Sequence, residues 1–375
     1  LALPLTAPEQ LPAFANSAMD GYAVQADDVA GAGPNTPSVL PVVADIPAGA
    51  PIGQLEPGTA HRIMTGAAVP VGADAIVEVE ATDGGTTMVE IRAARDPGTF
   101  VRSAGSDVAA GTQVLDAGMV LGPAQIGLLA ALGVGHVDVR RRPRVLVCST
   151  GSELAEHPAR GSGLIRDANA PMLMAAVHEA GGVAVPSLWV EDDVPSFLAA
   201  IGAAVEGAGG VDLVITSGGV SAGAYEVVKD ALGPLGVEFR KVAIQPGMPQ
   251  GSGLVTLPNG TTVPVVCLPG NPVSALVSFE VFIRPALRSA AGLLPAGRPV
   301  VTATLADGVS SIAGKRQFRR ARLDRLTGVV TPWGPAGSVF LGWFAGADCL
   351  IDVPTNVADM APGDLVDVWD LTRSS

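Results

Sequence analysis

Cysteine, histidine and positive charge are all scarce in this sequence, and each shortage excludes a class of protein. The 375 residues contain three cysteines and four histidines. The cysteines are widely spaced inside apolar runs, which provides neither a disulfide framework nor the ligand spacing of a zinc site. Cys148, Cys267 and Cys349 are therefore predicted to be buried thiols of a cytoplasmic protein. The histidines are scattered along the chain and form no metal-binding pair.

The charge balance is strongly acidic. The formal net charge is −13, and the sequence pI is near 4.7. Binding to nucleic acid or to an anionic membrane needs a basic face, so neither partner is expected. No run of about 18 uncharged apolar residues occurs, so no segment is predicted to span a membrane. The first ten residues lack the layout of a secretory signal, and some N-terminal sequence is expected to be missing because the chain does not begin with Met.

Glycine and proline are abundant instead, with 47 and 31 residues respectively. They indicate many tight turns, and the 48% hydrophobic content excludes disorder. The length predicts two to four domains. Residues 22–112 carry β signals throughout, including a predicted hairpin that joins 75–81 to 87–93. In the segment that follows, Pro123 and Gly133 mark the two ends of one short helix.

The second half of the chain is predicted to be α/β and then β. Strand and helix signals alternate from Arg140 to Ala291, which predicts an open, mostly parallel, doubly wound sheet with helices on both faces. Residues 292–375 return to short strands and are predicted to form a small barrel or sandwich. The predicted fold class is therefore α/β plus all-β, with a doubly wound sheet domain and two smaller β-domains.

One stretch organises the α/β region. Residues 211–216 form an apolar, β-branched run typical of a buried strand, which ends in Ser217-Gly218-Gly219 before a helix. Free backbone N–H groups at such a turn suit anionic ligands, although a simple tight turn would use the same glycines. Three further loops that follow strands have a similar composition (149–153, 245–249 and 268–272). Four such loops at one edge of a parallel sheet predict a binding site there.

The sequence also contains a rival motif, Gly219-Val-Ser-Ala-Gly223, which matches the nucleophile elbow of α/β-hydrolases. That fold requires a histidine after the serine in the chain. The last histidine here is His178, upstream of Ser221, and a serine without a base is a weak nucleophile. The hydrolase interpretation is therefore rejected. No P-loop and no strand-linked dinucleotide fingerprint occurs either.

Two segments outside the sheet have open interpretations. Asp20 lies in a loop of turn-forming residues, which either is a plain surface turn or presents a carboxylate. Residues 315–325 form the one dense basic segment. It is either a solvated edge strand or an anion-binding patch.

Five motifs taken together resemble the molybdopterin molybdenumtransferase family, the MoeA group related to the E-domain of gephyrin. The resemblance runs along the full chain in order, and the first and last motifs are the specific ones. The motifs are Asn16-Ser-Ala-Met-Asp-Gly-Tyr-Ala23, Ile63-Met-Thr-Gly66, Ser149-Thr-Gly-Ser-Glu153, Thr216-Ser-Gly-Gly-Val-Ser221 and Leu268-Pro-Gly-Asn-Pro-Val-Ser-Ala275.

The resemblance implies a division into four domains. Residues 1–21 and 113–140 correspond to domain I, most of whose N-terminal helical region is absent, and 22–112 to an inserted β-domain II. Residues 141–291 correspond to the molybdopterin-binding domain III, and 292–375 to a C-terminal β-barrel domain IV. Family members are elongated dimers, so a homodimer is expected, with a cleft that combines domains III and IV of one subunit with domain II of the other.

The resemblance also implies a reaction, the Mg²⁺-dependent insertion of molybdate into adenylylated molybdopterin with release of AMP. The expected protein partners are molybdopterin adenylyltransferase and the molybdoenzyme apo-proteins. By motif position, Asp20, Glu226 and Asp107 are the implied catalytic residues, and Asp20 and Glu226 the implied magnesium ligands. The implied substrate-binding residues are Thr150, Glu153, Asp167, Ser217, Gly218, Gly219, Gln245, Asn271, Ser274, Lys315 and Ser338, of which Lys315 and Ser338 match positions associated with molybdate.

The sequence departs from the family pattern at two places. Glu226 stands where the family usually has aspartate. The family's Lys-Pro-Gly-Lys-Pro loop is here Gln245-Pro-Gly-Met-Pro249, so two cations are replaced by an amide and a thioether. Lys241 and the basic segment are the expected compensation. Two other functions stay open, a molybdopterin adenylyltransferase and a non-catalytic scaffold that binds the pterin.

Overall fold

The computed structural model describes residues 1–159, 161–186, 188–190, 193–220 and 227–372. The chain forms two compact units, Leu1–Val139 and Arg140–Ser375. No helix among the described residues is long and apolar enough to cross a membrane. Each unit is described in turn, and the finer division into four domains stays a prediction.

The N-terminal unit is built almost entirely of short strands. Its strands are β1 (Leu5–Thr6), β2 (Asn16–Ser17), β3 (Gly21–Val24), β4 (Ser38–Ile46), β5 (Ala60–Ile63), β6 (Ala75–Glu78), β7 (Met88–Ile91), β8 (Val101–Arg102) and β9 (Gln113–Leu115). Five of them form one sheet in the order β6-β3-β5-β4-β7. The strands β1 and β9 pair with each other, as do β2 and β8. Single 3-10 turns occupy Ala26–Val29 and Val79–Ala81.

The predicted hairpin at residues 75–93 is correct only near its turn. The strands β6 and β7 lie at opposite ends of the five-strand order, so they do not pair with each other. Instead β7 meets the residues just after the 3-10 turn, where Asp83 N donates to Glu90 O (3.2 Å) and Arg92 N to Ala81 O (2.9 Å). The turn at 79–81 redirects the chain, which leaves β6 free to pair with β3.

The unit ends with the one helix that the sequence predicts for it, α1 (Pro123–Ala131). Pro123 takes the first helical position, where its missing N–H costs nothing. Gly133 follows the end of the helix with a φ of 69°, a left-handed conformation that stops the helix. Both helix ends therefore agree with the sequence prediction.

The C-terminal unit begins with an α/β layer. Its strands are β10 (Arg144–Thr150), β11 (Val183–Ala184), β12 (Leu188–Val190), β13 (Leu213–Ser217), β14 (Glu238–Lys241), β15 (Ile244–Gln245), β16 (Pro249–Thr256) and β17 (Thr262–Leu268). Its helices are α2 (Asn169–Glu179), α3 (Val194–Gly207), α4 (Val227–Leu232), α5 (Pro272–Ser278) and α6 (Arg284–Ala290), with a π-helical turn at Phe279–Ile283.

All of these strands except β15 form a mixed sheet that is mostly parallel. Its order is β11-β10-β13-β17-β16-β14, and β12 also pairs with β10. The contacts of β10 with β11, β12 and β13, and of β13 with β17, are parallel. The strand β16 runs antiparallel to both β17 and β14. As a result β10, β13, β17 and β14 all point the same way, and their carboxyl ends share one edge of the sheet.

Side-chain alternation gives this sheet a core on each face. Along β10, Val145 and Val147 pack with α2, α5 and α6, whereas Leu146 and Cys148 pack with α3 and α4. All four side chains are fully buried. A parallel strand covered by helices on both sides is expected to be apolar at every position. The predicted doubly wound sheet is therefore confirmed.

The remainder of the unit is a small β-barrel. Its elements are β18 (Val300–Leu305), β19 (Val309–Ser310), β20 (Arg316–Asp324), β21 (Val329–Pro332), α7 (Leu341–Ala345), β22 (Cys349–Val353), β23 (Asp359–Met360) and β24 (Leu365–Asp370). The order β20-β21-β18-β24-β22 closes through a further pairing of β22 with β20. The inward side chains, including Ala321, Ile351 and Val368, are fully buried.

The barrel and the α/β layer are connected by a strand pairing and by a common apolar cluster. The strand β15 lies in the α/β region of the chain but pairs with β20 of the barrel, with Gln245 opposite Gln317. A common apolar cluster includes Ile244, Val277 and Phe318 and joins α5 to the barrel. Loops from both layers are therefore held at fixed positions relative to each other within this unit.

Candidate functional site

A cleft of about 930 Å³ lies at the carboxyl edge of the sheet in the C-terminal unit. The four loops singled out in the sequence (149–153, 217–219, 245–249 and 269–272) all contribute to its lining. They meet there because β10, β13, β14 and β17 end at the same edge. The predicted clustering of these loops is confirmed.

All of the predicted substrate-binding residues line this one cleft. They come from segments as far apart in the chain as Thr150 and Ser338, and the sheet and the barrel both contribute. The residues are Thr150, Glu153, Asp167, Ser217, Gly218, Gly219, Gln245, Asn271, Ser274, Lys315 and Ser338. Their individual roles stay predictions, but their common location is a property of the fold.

Glycine is required at the turn that follows β13. Gly218 and Gly219 have φ values of 103° and 65°, in the region that residues with side chains rarely adopt. A Cβ atom on Gly218 would lie 2.5 Å from the backbone oxygen of Thr150, and one on Gly219 2.7 Å from a methyl of Val228. Gly218 thus lets the loop after β13 approach the end of β10, and Gly219 lets the same loop pack against α4.

Asn169, which the sequence did not single out, ties two of the loops together at the start of α2. Its Nδ2 group donates to Ser217 Oγ and to the backbone oxygen of Gly270, both at 2.7 Å. It is the first residue of α2, and its own N–H donates to the Asp167 carboxylate at 2.8 Å. The polar run Arg166-Asp-Ala-Asn169 directly before a helix was the sequence signal that could have found it.

Several buried polar atoms around the cleft have no protein partner within the described part of the chain. They are Thr150 Oγ1, Asn169 Oδ1 and Gln245 Oε1. An unpaired buried polar atom is costly, about 1–3 kcal/mol, and calls for an explanation. Since all three residues line the cleft, a polar ligand or bound water would satisfy them.

The barrel supplies the remaining wall of the cleft. Asn271, at the end of β17, donates from Nδ2 to Ser338 Oγ of the barrel at 3.2 Å. Arg320 is buried and donates to the backbone oxygens of Gly337 (2.9 Å) and Pro335, which fixes the loop before Ser338. Lys315 is half-buried in the same wall.

The basic segment at 315–325 is not an edge strand, and anion binding by its Lys315 stays a prediction. Its strand β20 is paired on both sides in the closed barrel. Most of its arginines are engaged inside the protein. Arg316 pairs with Asp352, Arg322 stacks 3.3 Å from the ring centroid of Trp333, and Arg325 contacts Asp348 and Asp370.

The compensation expected for the Gln245–Pro249 loop is not at Lys241. Lys241 is exposed at the end of β14 and is not among the residues that line the cleft. Arg166, which the sequence analysis did not single out, does line it. Together with Lys315 it is one of two cations in that lining.

Asp20, the predicted catalytic and metal-binding residue of the N-terminal unit, is held by one neighbour. Its Oδ1 atom accepts hydrogen bonds from the backbone N–H of Thr65 (2.6 Å) and from Thr65 Oγ1 (2.7 Å). These two bonds, backbone first, lower the pKa of the Asp20 carboxyl. The group is exposed, so an ionised carboxylate is presented to solvent with its second oxygen available.

Of the other two predicted catalytic residues, only Asp107 lies in the part of the chain that the structure describes. Asp107 is exposed in the N-terminal unit, where its N–H donates to Leu11 O at 2.9 Å. Glu226 lies outside the described residues. Among the residues that are described, no three His, Cys, Asp or Glu side chains cluster closely enough to hold a metal ion by themselves.

The three cysteines are free and buried, as predicted. Burial raises the pKa of the Cys148 and Cys267 thiols to about 12. Burial also raises the pKa of the Cys349 thiol. All three are therefore protonated at neutral pH and serve as packing groups.

The fold and the cleft define an α/β protein whose glycine-rich loops gather around one cleft at the carboxyl edge of a mostly parallel sheet. Comparison with known proteins makes this specific. Residues 1–133 match the MoeA N-terminal region (domain I and II), 146–289 a "Probable molybdopterin binding domain", and 302–371 the MoeA C-terminal region (domain IV). The chain belongs to the molybdopterin molybdenumtransferase (MoeA) family of molybdenum cofactor biosynthesis, which confirms the resemblance.

Relatives are similar over nearly the whole chain. Molybdopterin molybdenumtransferase 2 of Mycobacterium tuberculosis is 55% identical over 98% of this chain and 91% of its own length. Molybdopterin molybdenumtransferase 1 of the same species is 37% identical over 97% and 90%. The crystal structure of a molybdopterin biosynthesis MoeA protein from Pyrococcus horikosii is 31% identical, with a TM-score of 0.81 over 99% of this chain and 90% of that one.

Proposed function

We propose that this protein inserts molybdate into adenylylated molybdopterin, with Mg²⁺, and releases AMP. The observation that carries the proposal is the cleft, in which every binding residue expected from the family motifs lines one cavity. The similarity of the whole chain to proteins named molybdopterin molybdenumtransferase supports the same assignment.

The glycine loops would hold phosphate groups of the substrate. The Gly218 N–H already donates to Leu268 O at 3.2 Å, so the donor that this turn would offer to a phosphate is the backbone N–H of Gly219. A second set of donors is the backbone N–H groups of Val273 and Ser274 in the first turn of α5, where Pro272 has no N–H and Asn271 makes no side-chain cap bond to the helix. The adenylyl and pterin phosphates of one substrate would occupy such positions.

Magnesium binding is assigned to Asp20 and Glu226. The donor set fits Mg²⁺, which typically takes one or two carboxylates and completes its shell with phosphate oxygens and water. Asp20 is ionised because Thr65 lowers its pKa, and Thr65 fixes one of its oxygens while the other stays available. When bound, the metal would neutralise charge at the phosphoanhydride that is cleaved. Asp107 is proposed as a further catalytic carboxylate.

The molybdate oxyanion is assigned to Lys315 and Ser338 in the barrel wall. Both line the cleft, and Asn271 orients the Ser338 hydroxyl from the other wall. A cation and a hydroxyl donor together suit a tetrahedral oxyanion. We further propose that the protein works as a cytoplasmic homodimer. It would receive its substrate from a molybdopterin adenylyltransferase and serve molybdoenzyme apo-proteins.

The test is AMP release from adenylylated molybdopterin, measured with and without molybdate in the presence of Mg²⁺. Molybdate-dependent release is expected from the native protein. It should fall at least about a hundredfold in Asp20→Asn and in Glu226→Gln, because each change removes a charge at the metal. Asp27→Asn is the matched control in the N-terminal unit, since Asp27 is an exposed carboxylate in a 3-10 turn.

The same assay separates the alternatives. A scaffold would bind the pterin and release no AMP at any molybdate concentration. An adenylyltransferase would consume ATP and unadenylylated molybdopterin, with no requirement for molybdate. Either result would refute the proposed transferase activity.

A further inference from the structure

Among the residues that the structure describes, the charged side chains that line the cleft are two acids, Glu153 and Asp167, and two cations, Arg166 and Lys315. The whole chain carries a net charge of −13. An anionic ligand that enters this cleft against that background depends on the two local cations.

Arg166 has no acidic partner in the part of the chain that the structure describes. The carboxylate next to it in sequence, Asp167, is already engaged, because its Oδ1 accepts the N–H groups of Asn169 (2.8 Å) and Ala170 (3.1 Å) at the start of α2. The guanidinium of Arg166 is exposed. It is therefore available to a ligand.

The position of Arg166 places it beside the glycine-rich loop after β10. Ile165 N donates to Glu153 O at 2.8 Å, and Ala155 N donates to Ile165 O at 2.9 Å. These bonds fasten the segment before Arg166 to the loop that contains Thr150 and Gly151. Arg166 and that loop therefore line the same cleft.

Lys315 belongs to a different wall. It lies in the turn before β20, where its N–H donates to Ile312 O at 3.1 Å. The two cations are thus carried by separate parts of the fold, the sheet edge and the barrel. Such an arrangement suits a ligand, or a pair of ligands, with two separate anionic groups.

We propose that Arg166 is the residue that binds a phosphate of the pterin substrate, whereas Lys315 serves the oxyanion. This inference rests on the proposed function and assigns each of the two cations to a different anionic group. Arginine suits the role because its planar guanidinium can form two parallel hydrogen bonds to a phosphate, which lysine cannot. It also provides positive charge in a cleft whose 245–249 loop has none.

The experiment measures the affinity of two probes, AMP for the adenylyl phosphate and unadenylylated molybdopterin for the pterin phosphate. Arg166→Gln should raise the Kd of at least one probe about tenfold or more. It should also make binding less sensitive to salt, a change that a purely structural role would not produce. Arg166→Lys should recover part of the affinity. The probe that is affected identifies which phosphate is bound.

Two controls test whether the two cations bind different anionic groups. Lys315→Gln should leave the Kd of both probes within about twofold and raise the molybdate concentration needed for half-maximal AMP release, whereas Arg166→Gln should not change that concentration. Arg240→Gln, which removes an exposed arginine paired with Glu238 on β14 away from the cleft, should change neither.

The most specific test moves the positive charge from Arg166 to another residue that lines the cleft. Met248 lines the same cleft, so Met248→Lys in the Arg166→Gln background should restore part of the lost affinity. An Arg166→Gln protein that binds both probes within about twofold of the native Kd would overturn the inference and leave the transferase function standing. Native protein that releases no AMP, but loses probe affinity in Arg166→Gln, would refute the transferase and retain Arg166 as a phosphate-binding residue.

Discussion

The substitution Gly218→Ala tests whether the close approach of two loops builds the cleft. Gly218 has a φ of 103°, which a residue with a side chain adopts at a cost of about 1–3 kcal/mol. The new methyl would also lie 2.5 Å from Thr150 O and 2.9 Å from Thr150 Oγ1. A backbone oxygen cannot rotate away, so the loop after β10 must move.

The expected loss of stability combines these two effects. The unfavourable φ contributes about 1–3 kcal/mol, and the forced contact contributes about 1–3 kcal/mol, as overpacking commonly does. We expect the free energy of unfolding to fall by about 3 kcal/mol. A displacement of about 1 Å at the loop should also weaken AMP binding by tenfold or more, since positioning within a site is sensitive to such shifts.

Gly260→Ala is the matched control. Gly260 also has a positive φ, 84°, but an added methyl would meet no atom within 4 Å. It lies in the turn between β16 and β17, at the end of the sheet opposite the cleft. Urea unfolding followed by circular dichroism should show a loss of about 1 kcal/mol for this variant, with native AMP affinity. Equal stability of the two variants, or native AMP binding by Gly218→Ala, would refute the argument that the loop contact shapes the site.

Two further predictions concern titratable groups. Because Thr65 lowers the pKa of Asp20, that contact stabilises the fold above the ordinary aspartate pKa and is lost as the pH falls through the lowered value. In an NMR titration Thr65→Val, which removes the Oγ1 bond and keeps the backbone bond, should raise the Asp20 pKa part of the way towards normal, and Thr65→Ser should not; an unchanged pKa in Thr65→Val would contradict the Oγ1 hydrogen bond. Since burial raises the pKa of Cys148 and Cys267 to about 12, a thiol reagent at pH 8 should modify them only after denaturation; rapid labelling of the folded protein would show that they are not buried as described.

Local sequence determined the elements that depend on neighbouring residues. Pro123 and Gly133 bound α1 as expected, because each acts through its own backbone geometry. The apolar runs of β10 and β13 identified buried parallel strands, since a strand covered on both faces has no polar side. The glycines after those strands located the loops of the cleft for the same reason.

Only the tertiary structure decided which partner each segment takes. Residues 75–93 read as one hairpin, yet β6 pairs with β3, because the 3-10 turn at Val79–Ala81 redirects the chain. The charges of residues 315–325 predicted either a solvated edge strand or an anion-binding patch. Closure of the barrel instead pairs β20 on both sides, so it is not an edge strand. Pairing of this kind is non-local, and the alternation within a single strand does not specify it.

The candidate site shows the same difference between what local sequence determines and what tertiary structure decides. The motifs named its residues one by one, from Thr150 to Ser338, but no local pattern states that they share one cavity. The sequence alone pointed to Lys241 and the basic 315–325 segment as the compensating cations. The fold places Lys315 of that segment in the cleft lining, leaves Lys241 outside it and brings Arg166 into it. Sequence thus determined the chemistry available to this protein, and the non-local pairing of strands decided which of those groups meet, because the distance between side chains is set by packing and not by their separation along the chain.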